Sequence, residues 1–261
     1  MGFDAQKSAT VFAELRRSNR ASGRPSDDVR PIDIAQGYDV QRELGRILQS
    51  DKGACCGHKI GCTTPVMQKF LNINHPCAGL LYDNEVFDQS ATLRLADYVG
   101  VGVECEIALR LGKGLPPQDA PYSSDSVAGS VVHVMAAAEI VDNRYEDFHE
   151  FGIPSLIADD FFSAGAVVGT GNDPDGIDLP AAQGRTTING QEVGTGVGQA
   201  VMGHPFEALA WLANQKADRG ESLKAGDIIM TGSVVETQWI TEPSIVTCSV
   251  APLGEVSITF V

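Results

Sequence analysis

The sequence predicts an α+β protein whose first fifty residues are helical and whose remainder is rich in strands. Apolar residues recur at helical spacing in residues 4–19 and again from about Asp33. After Gly53, apolar and polar residues alternate in several short runs, as is typical of strands. We divide the 261 residues into an N-terminal helical segment, 1–51, and a strand-rich domain, 52–261, which together form one compact unit.

Composition and charge narrow the classes of function. The formal net charge of −15 argues against nucleic acid as a partner, because phosphate binding needs a basic surface. No apolar run is long enough to cross a membrane, and the N-terminal residues lack the pattern of a signal peptide. The six cysteines form no Cys-x-x-Cys pair, and we expect them to be reduced thiols. We therefore expect a cytoplasmic protein.

Two helices are predicted before the first strand. Asp4 can cap a helix that runs to about Asn19, and a second helix begins at about Asp33. The Gly, Pro and Ser content of residues 21–28 indicates a loop between them. Because this unit precedes the strands, we expect it to act as a lid.

A strand predicted over residues 53–63 carries Lys59 on a face whose other members are small. Such a face allows another group to approach the lysine closely. The alternative is an edge-strand lysine, a common protection against aggregation between sheets. A short helix is predicted from Thr64-Pro65, and the apolar run after it ends in a turn at Asp83.

Residues 101–111 form the most regular strand pattern. The odd positions are all apolar, and the even positions place Glu104 and Glu106 about 7 Å apart on the other face. Two such carboxylates repel unless water, a shared proton or a cation separates them. Glu139 lies in the apolar stretch 135–144, where an unpaired charge is costly to bury. The alternatives are a solvated strand face for the pair and a helix with one polar edge for Glu139.

Turn residues and periodicity predict the remaining elements. They are a serine-capped helix over 123–134, a hairpin at Asn189-Gly190, a helix from His204-Pro205, a strand ending in Thr231-Gly232-Ser233, and closing strands over 244–250 and 255–261. Backbone amides and hydroxyls at such a strand end can hold a carboxylate.

Three carboxylates from two segments, together with Lys59, suit a hard divalent cation. Ligation by oxygen alone points to Mg²⁺ or Mn²⁺ with open positions for a substrate. Such an ion polarises a carbonyl group and stabilises an enolate. The residues alone therefore predict metal-assisted enolate or carbonyl chemistry. The competing class is a non-enzymatic acidic β-domain, which would have no metal affinity and would tolerate Glu139→Gln.

An ordered set of motifs resembles one known family. The motifs are Gly57-His-Lys59-Ile-Gly61, Glu104-Cys-Glu106, Ala138-Glu139-Ile-Val-Asp-Asn-Arg144, Ile157-Ala-Asp-Asp160, Gly203-His-Pro205 with Ala210-Trp-Leu-Ala-Asn214, and Ala225-Gly-Asp-Ile-Ile-Met-Thr-Gly-Ser233. From about residue 30 to its end, the chain resembles the 2-keto-4-pentenoate hydratase and 4-oxalocrotonate decarboxylase family of the fumarylacetoacetase superfamily.

The resemblance implies a mixed β-roll core with flanking helices and an N-terminal helical lid, so that residues 52–261 would be the catalytic domain. It implies a lyase of aromatic-compound degradation, a hydratase that adds water to a 2-hydroxy-2,4-dienoate or 2-oxo-enoate. It also implies a bound Mg²⁺ or Mn²⁺ ion. By the match of motifs, the ligands of that ion would be Glu104, Glu106 and Glu139.

The resemblance also implies roles for four further residues. Lys59 would stabilise charge at the 2-oxo group and the carboxylate of the substrate. Asp83 would be the acid/base that moves protons before water adds. Ser233, with Thr231 near it, would bind a substrate carboxylate. A homo-oligomer is expected.

Two departures leave the substrate and the reaction open. Related chains often read Ala-Asp-Asn where this one reads Ala158-Asp159-Asp160, followed by Phe161-Phe162, which adds an acid and bulk near the expected pocket. Hydrolases of the superfamily use a His-x-x-Glu pair on the lid, whereas no histidine precedes His58, so C–C hydrolysis is disfavoured. A 4-oxalocrotonate-type decarboxylase and a non-catalytic homologue that binds 2-oxo acids remain alternatives.

Overall fold

Two β-sheets with flanking helices make up the computed structural model, which describes residues 2–261. The α-helices of this part of the chain are α1 (Ala5–Arg17), α2 (Ile34–Lys52), α3 (Pro65–Phe70), α4 (Ser124–Ala128), α5 (Phe148–Phe151), α6 (Ile153–Ala158) and α7 (Pro205–Ala217). Its strands are β1 (Cys55–Gly61), β2 (Cys77–Tyr82), β3 (Val86–Asp88), β4 (Ser90–Leu93), β5 (Val101–Leu111), β6 (Val131–Asp142), β7 (Ser163–Val168), β8 (Gln183–Ile188), β9 (Gln191–Val197), β10 (Ile228–Ser233), β11 (Gln238–Trp239), β12 (Ser244–Ala251) and β13 (Gly254–Phe260).

The N-terminal helices begin where their capping residues predict. The Asp4 carboxylate accepts a hydrogen bond from the Lys7 amide, and the Asp33 carboxylate accepts one from the Gln36 amide. The apolar faces of α1 and α2 join the core that the strands share, for example through Phe12. The helices are therefore packed against the sheet domain. That they act as a lid, and that residues 1–51 are a separate segment, stay predictions.

The larger sheet has eight strands in the order β2-β1-β10-β5-β6-β7-β3, with β11 beside β5. It is mixed, because β1 pairs with β10 in parallel whereas β5 pairs with both β10 and β6 in antiparallel. The sheet curls, so that the Ser163 hydroxyl on β7 donates to the Leu80 carbonyl on β2 at 3.1 Å. Its inner face holds a separate cluster of buried apolar side chains from β2, β5, β6, β7 and β10.

Strand β5 is buried on both faces. Its odd residues pack toward the smaller sheet, whose order is β4-β13-β12-β8-β9, and Cys105 contacts the Ser249 carbonyl on β12. Its even residues point into the curl of the larger sheet. Glu106 is 0% exposed there. The alternative of a solvated face is therefore wrong for Glu106, whereas Glu104 on the same face is half-buried.

The turn at Asn189-Gly190 joins β8 to β9, as predicted. Both residues have positive φ, 51° and 81°, which asparagine and glycine tolerate in a two-residue hairpin. The closing strands β12 and β13 also form where the alternation predicts them, paired in antiparallel over seven residue pairs.

The predicted helix over 123–134 is wrong in its second half. The capping box of Ser123 and Ser126 starts α4, but the helix ends at Ala128 and strand β6 begins at Val131. The β-branched valines that follow Gly129 favour a strand, and β6 pairs along its length with β5. The helical alternative for Glu139 is wrong for the same reason. The sequence patterns did not predict β3, β4, β7, β11, α5 or α6.

None of the helices within residues 2–261 is both long enough and apolar enough to cross a membrane.

We expect the layer between the two sheets to dominate stability. Ile107→Ala removes a side chain that is 0% exposed on β5, and should lower the free energy of unfolding by about 2–5 kcal/mol. Ile245→Ala, on β12 and 51% exposed, is the matched control and should cost less than about 1 kcal/mol. Urea unfolding followed by tryptophan fluorescence measures both changes. Equal losses would show that the inter-sheet layer is not the main core.

Candidate metal centre

Three carboxylates meet on the inner face of the larger sheet. Glu104 on β5 lies directly opposite Glu139 on β6, and Glu106 follows two residues along β5 on the same face. One oxygen from each of the three lies within 4.8 Å of the others. An octahedral Mg²⁺ with ligands at about 2.1 Å needs oxygens about 3–4 Å apart, so a small closure would suffice. The structure thus brings together the three residues that the family motifs named as ligands.

Burial makes this cluster electrostatically unfavourable without a cation. Burial, reinforced by Glu139 and Glu104, raises the pKa of Glu106 well above its usual range. Burial also raises the pKa of Glu139 to about 7, although the neighbouring Lys59 lowers it. Like charges in a site of low dielectric constant favour protonation or a bound cation.

The hydrogen bonds around the cluster leave oxygens free for a ligand. Glu106 Oε2 accepts from the Gly232 amide at 2.9 Å, and Glu104 Oε1 accepts from the Thr237 hydroxyl. Glu106 Oε1 and Glu139 Oε2 accept no hydrogen bond from any residue in 2–261, and Glu139 Oε1 has the Lys59 ammonium 2.9 Å away. Buried carboxylate oxygens without donors are costly, and coordination to a divalent cation would satisfy them. The donor set therefore fits a hard metal ion.

Lys59 supplies the positive charge nearest to the cluster. Its Nζ lies 2.9 Å from Glu139 Oε1, a close ion pair, and the residue is 2% exposed. Burial lowers the pKa of Lys59, but Glu139 and Glu104 outweigh it, so the pKa is raised and the ammonium keeps its proton. Since β1 lies between β2 and β10, the edge-strand alternative for Lys59 is wrong.

Thr231 and Ser233 lie beside the cluster on β10, with their hydroxyls engaged by backbone. Thr231 Oγ1 donates to the Ile107 carbonyl at 2.7 Å, and Ser233 Oγ donates to the Val235 carbonyl. Ser233 is the register partner of Glu106. The predicted roles of both residues in binding substrate would require these hydroxyls to exchange partners.

Asp83 is not brought into the cluster. It follows β2 in an exposed turn, and its amide donates to the Ala54 carbonyl. The residue of β2 opposite Lys59 is Gly79, and four further residues correspond to about 13 Å of strand. The sequence motif placed Asp83 correctly at the end of a strand, but the strand carries it away from Lys59.

Residues 160–162, where the sequence departs from related chains, differ in their position relative to Lys59. The Asp160 carboxyl accepts from the Leu80 amide and the Tyr82 hydroxyl, so the added acid does not face Lys59. The ring of Phe161 does, with its centroid 5.6 Å from Lys59 Nζ. Sequence reasoning overlooked this contact and also missed Thr237, because a threonine in a loop carries no local signal of its partner.

Comparison with known proteins identifies the family. A model of the fumarylacetoacetate (FAA) hydrolase C-terminal family matches residues 81–261, more than half of the chain. The chain belongs to this family. It is 33% identical to a 2-hydroxyhexa-2,4-dienoate hydratase of Comamonas testosteroni in an alignment of 224 residues. The alignment covers 85% of this chain and 84% of that one.

Two further relatives of this FAA hydrolase family member match nearly the whole of its chain. A 2-keto-4-pentenoate hydratase of Paraburkholderia phymatum is 30% identical over 264 residues, 98% of each chain. A solved structure of 4-oxalocrotonate decarboxylase from Pseudomonas putida G7, complexed with magnesium and adipate, matches with a TM-score of 0.92 at 26% identity, over 98% of this chain and 97% of that one. The resemblance seen in the sequence motifs is confirmed.

We expect Glu139→Gln to weaken Mg²⁺ binding by at least about tenfold, because one of three charged ligands is lost. Isothermal titration calorimetry measures the affinity. Thermal unfolding gives a second measurement, because saturating metal should stabilise only a protein that binds it. Glu192→Gln, which removes an exposed carboxylate on β9, is the control and should bind like the unmodified protein. Unchanged affinity in Glu139→Gln would show that the three carboxylates do not form the metal site.

We expect Asp83→Asn to change kcat by less than about tenfold, whereas loss of a general acid or base costs about 10²–10⁴-fold. The reason is the position of Asp83 in an exposed turn away from Lys59. Steady-state kinetics with 2-hydroxypenta-2,4-dienoate as the substrate tests this. A loss in the larger range would restore Asp83 as the acid/base.

Proposed function

We propose that this protein is a divalent-metal-dependent hydratase that adds water to a 2-hydroxy-2,4-dienoate or 2-oxo-enoate. The observation that carries the proposal is the buried cluster of three carboxylates with unsatisfied oxygens, beside a buried lysine. The similarity to two hydratases over most of the chain supports this reaction. The magnesium in the decarboxylase structure supports Mg²⁺, or the chemically similar Mn²⁺, as the ion.

The chemistry would be divided between the ion and the protein. Glu104, Glu106 and Glu139 would hold the ion, which when bound supplies Lewis acidity toward a 2-oxo acid. Lys59 stays protonated between the cluster and the substrate, so its ammonium stabilises negative charge that develops on the C2 oxygen. The low exposure of the site excludes water from this ion pair and strengthens it. Ser233 and Thr231 are the proposed donors to the substrate carboxylate.

We also propose the substrate class, the cellular location and the oligomeric state of the protein. The partner is a small 2-oxo or 2-hydroxy-dienoate acid, which the ion and Lys59 attract despite the net charge of −15. All six cysteines within residues 2–261 are free thiols, which suits the predicted cytoplasmic location. A homo-oligomer is the proposed assembly, and the acidic surface would keep it soluble.

A second candidate is decarboxylation of a 4-oxalocrotonate-type 2-oxo acid. The observation that favours it is the close match to the decarboxylase structure, at a TM-score of 0.92. Both reactions need a stabilised enolate of a 2-oxo acid, so the same cluster and Lys59 would serve either. They differ in what the distal end of the substrate carries.

The test is ultraviolet absorbance of 2-hydroxypenta-2,4-dienoate with purified protein, with Mg²⁺ and with a chelator, followed by product identification. Metal-dependent loss of the dienol signal with formation of 4-hydroxy-2-oxopentanoate is the expected result. Release of CO₂ from 4-oxalocrotonate without hydration of the dienoate would make the protein a decarboxylase. Absence of both reactions and of metal binding would overturn the enzyme proposal.

Lys59→Gln should lower kcat by at least about 10²-fold while the protein stays folded, because a charge aimed at the developing oxyanion is lost. Lys69→Gln is the matched control, since Lys69 is exposed on α3. Near-ultraviolet circular dichroism checks the fold of both variants. Full activity in Lys59→Gln would remove this residue from the mechanism.

A further inference from the structure

Residues 160–162 adopt a backbone conformation that is rare for their residue types. Asp160, Phe161 and Phe162 have φ angles of 53°, 48° and 68°, three left-handed residues in succession without a glycine. Aspartate tolerates this region, but phenylalanine does so rarely. Such a segment persists only where its surroundings hold it, and such segments cluster at functional sites.

Buried charges hold this segment in place. Arg16, in the last turn of α1, donates through Nε to Asp159, and its Nη2 lies 3.2 Å from Asp160 Oδ2. The Asp160 carboxyl also accepts from the Leu80 amide at 3.2 Å and the Tyr82 hydroxyl at 3.1 Å. The side chains of Arg16 and Asp160 are 6% and 0% exposed. The segment is thus attached to both α1 and β2.

This attachment brings the segment against β1, which carries Lys59, and its neighbour β2. A side chain on Gly79 would place its Cβ 2.3 Å from the Asp160 carbonyl oxygen, so only glycine permits the approach. The Phe161 ring then packs over Gly61 and lies 5.6 Å from Lys59 Nζ. Phe162 packs edge-to-face on the Phe161 ring, with the two centroids 5.5 Å apart, and also contacts the rings of Tyr145 and Phe148.

We propose that Phe161 determines substrate specificity and that Arg16 positions it. The proposal rests on the function proposed above. The Phe161 ring forms an apolar wall beside Lys59, so the distal end of the 2-oxo acid must be short and uncharged. The guanidinium groups behind this wall, Arg16 and Arg144, are both paired with Asp159 and offer no charge to a second carboxylate.

The test compares binding of two unreactive 2-oxo acids to the Mg²⁺-loaded protein by calorimetry. One is 2-oxopentanoate, with an apolar end, and the other is 2-oxohexanedioate, with a carboxylate end. The unmodified protein should prefer the first by at least about tenfold, because the diacid buries an unpaired charge against the ring. Phe161→Ala should reduce that preference by at least about tenfold. Phe206→Ala, a matched truncation on α7 whose ring packs on His204, should leave it unchanged.

The role of Arg16 is tested with the same ratio of affinities. Arg16→Gln should reduce the preference, whereas Arg17→Gln, which breaks an exposed ion pair on the same helix, should not. If Arg16→Gln loses its near-ultraviolet circular dichroism, Arg16→Lys decides, since one ammonium cannot bridge Asp159 and Asp160 as the guanidinium does. An unchanged preference in folded Arg16→Lys would overturn the positioning role.

The outcomes separate this inference from the proposed reaction. Absence of dienoate turnover, with the binding preference present and lost in Phe161→Ala, would overturn the reaction and support the wall. Turnover with a preference that Phe161→Ala does not change, or that Phe206→Ala changes equally, would overturn the role of Phe161. Binding of neither acid by the unmodified protein would also overturn it.

Discussion

The repulsion among three buried carboxylates is the constraint on which the arrangement around the site depends. Glu104, Glu106 and Glu139 share one face of two paired strands, and two of them are fully buried. Such a cluster is tolerable only when protonation or a compensating cation relieves the repulsion. Lys59 provides one positive charge, and the Gly232 amide and Thr237 hydroxyl each satisfy one oxygen. The charge that remains uncompensated is what gives the site its affinity for a divalent cation.

The surrounding fold serves this constraint in two ways. The central pairing of β5 with β6 fixes the carboxylates in register, so their spacing is set by backbone hydrogen bonds and not by mobile loops. The curl of the larger sheet then places β1, and with it Lys59, over the same interior. Because the opposite face of β5 packs on the smaller sheet, the strand cannot shift by one residue without reversing both faces.

Local signals in the sequence predicted much of this fold. The caps at Asp4, Asp33 and Thr64 and the Asn189-Gly190 turn are contained within a few residues, and each begins or joins an element where expected. Alternation along 101–111 separated the two faces of β5. By contrast, β7 is short and built of small residues, so it lacked a pattern. The helix predicted to Val134 extended too far because strand pairing decides the structure there.

The charged residues of the site could be predicted from the sequence, but the contacts that hold the surrounding residues in position could not. The glutamates stood out because acids were placed among apolar neighbours, and the family motifs named them as ligands. The apolar run before Asp83 predicted its place at the end of a strand, but such a run does not give the distance of that strand end from Lys59. The contact of Arg16 with Asp159 joins residues 143 positions apart, a separation at which no local pattern carries information.

The contact of Arg16 with Asp159 ties the first helix to the strand-rich part of the chain, which holds the candidate metal site. Every candidate ligand lies on the strands, and none lies on the N-terminal helices. Yet a shortened chain lacking α1 would leave Asp159 and Asp160 in the interior with one guanidinium fewer, and buried carboxylates that lose a cation are strongly destabilising. The first helix is thus an integral part of the fold that holds the candidate metal site, although it contributes none of the three carboxylates.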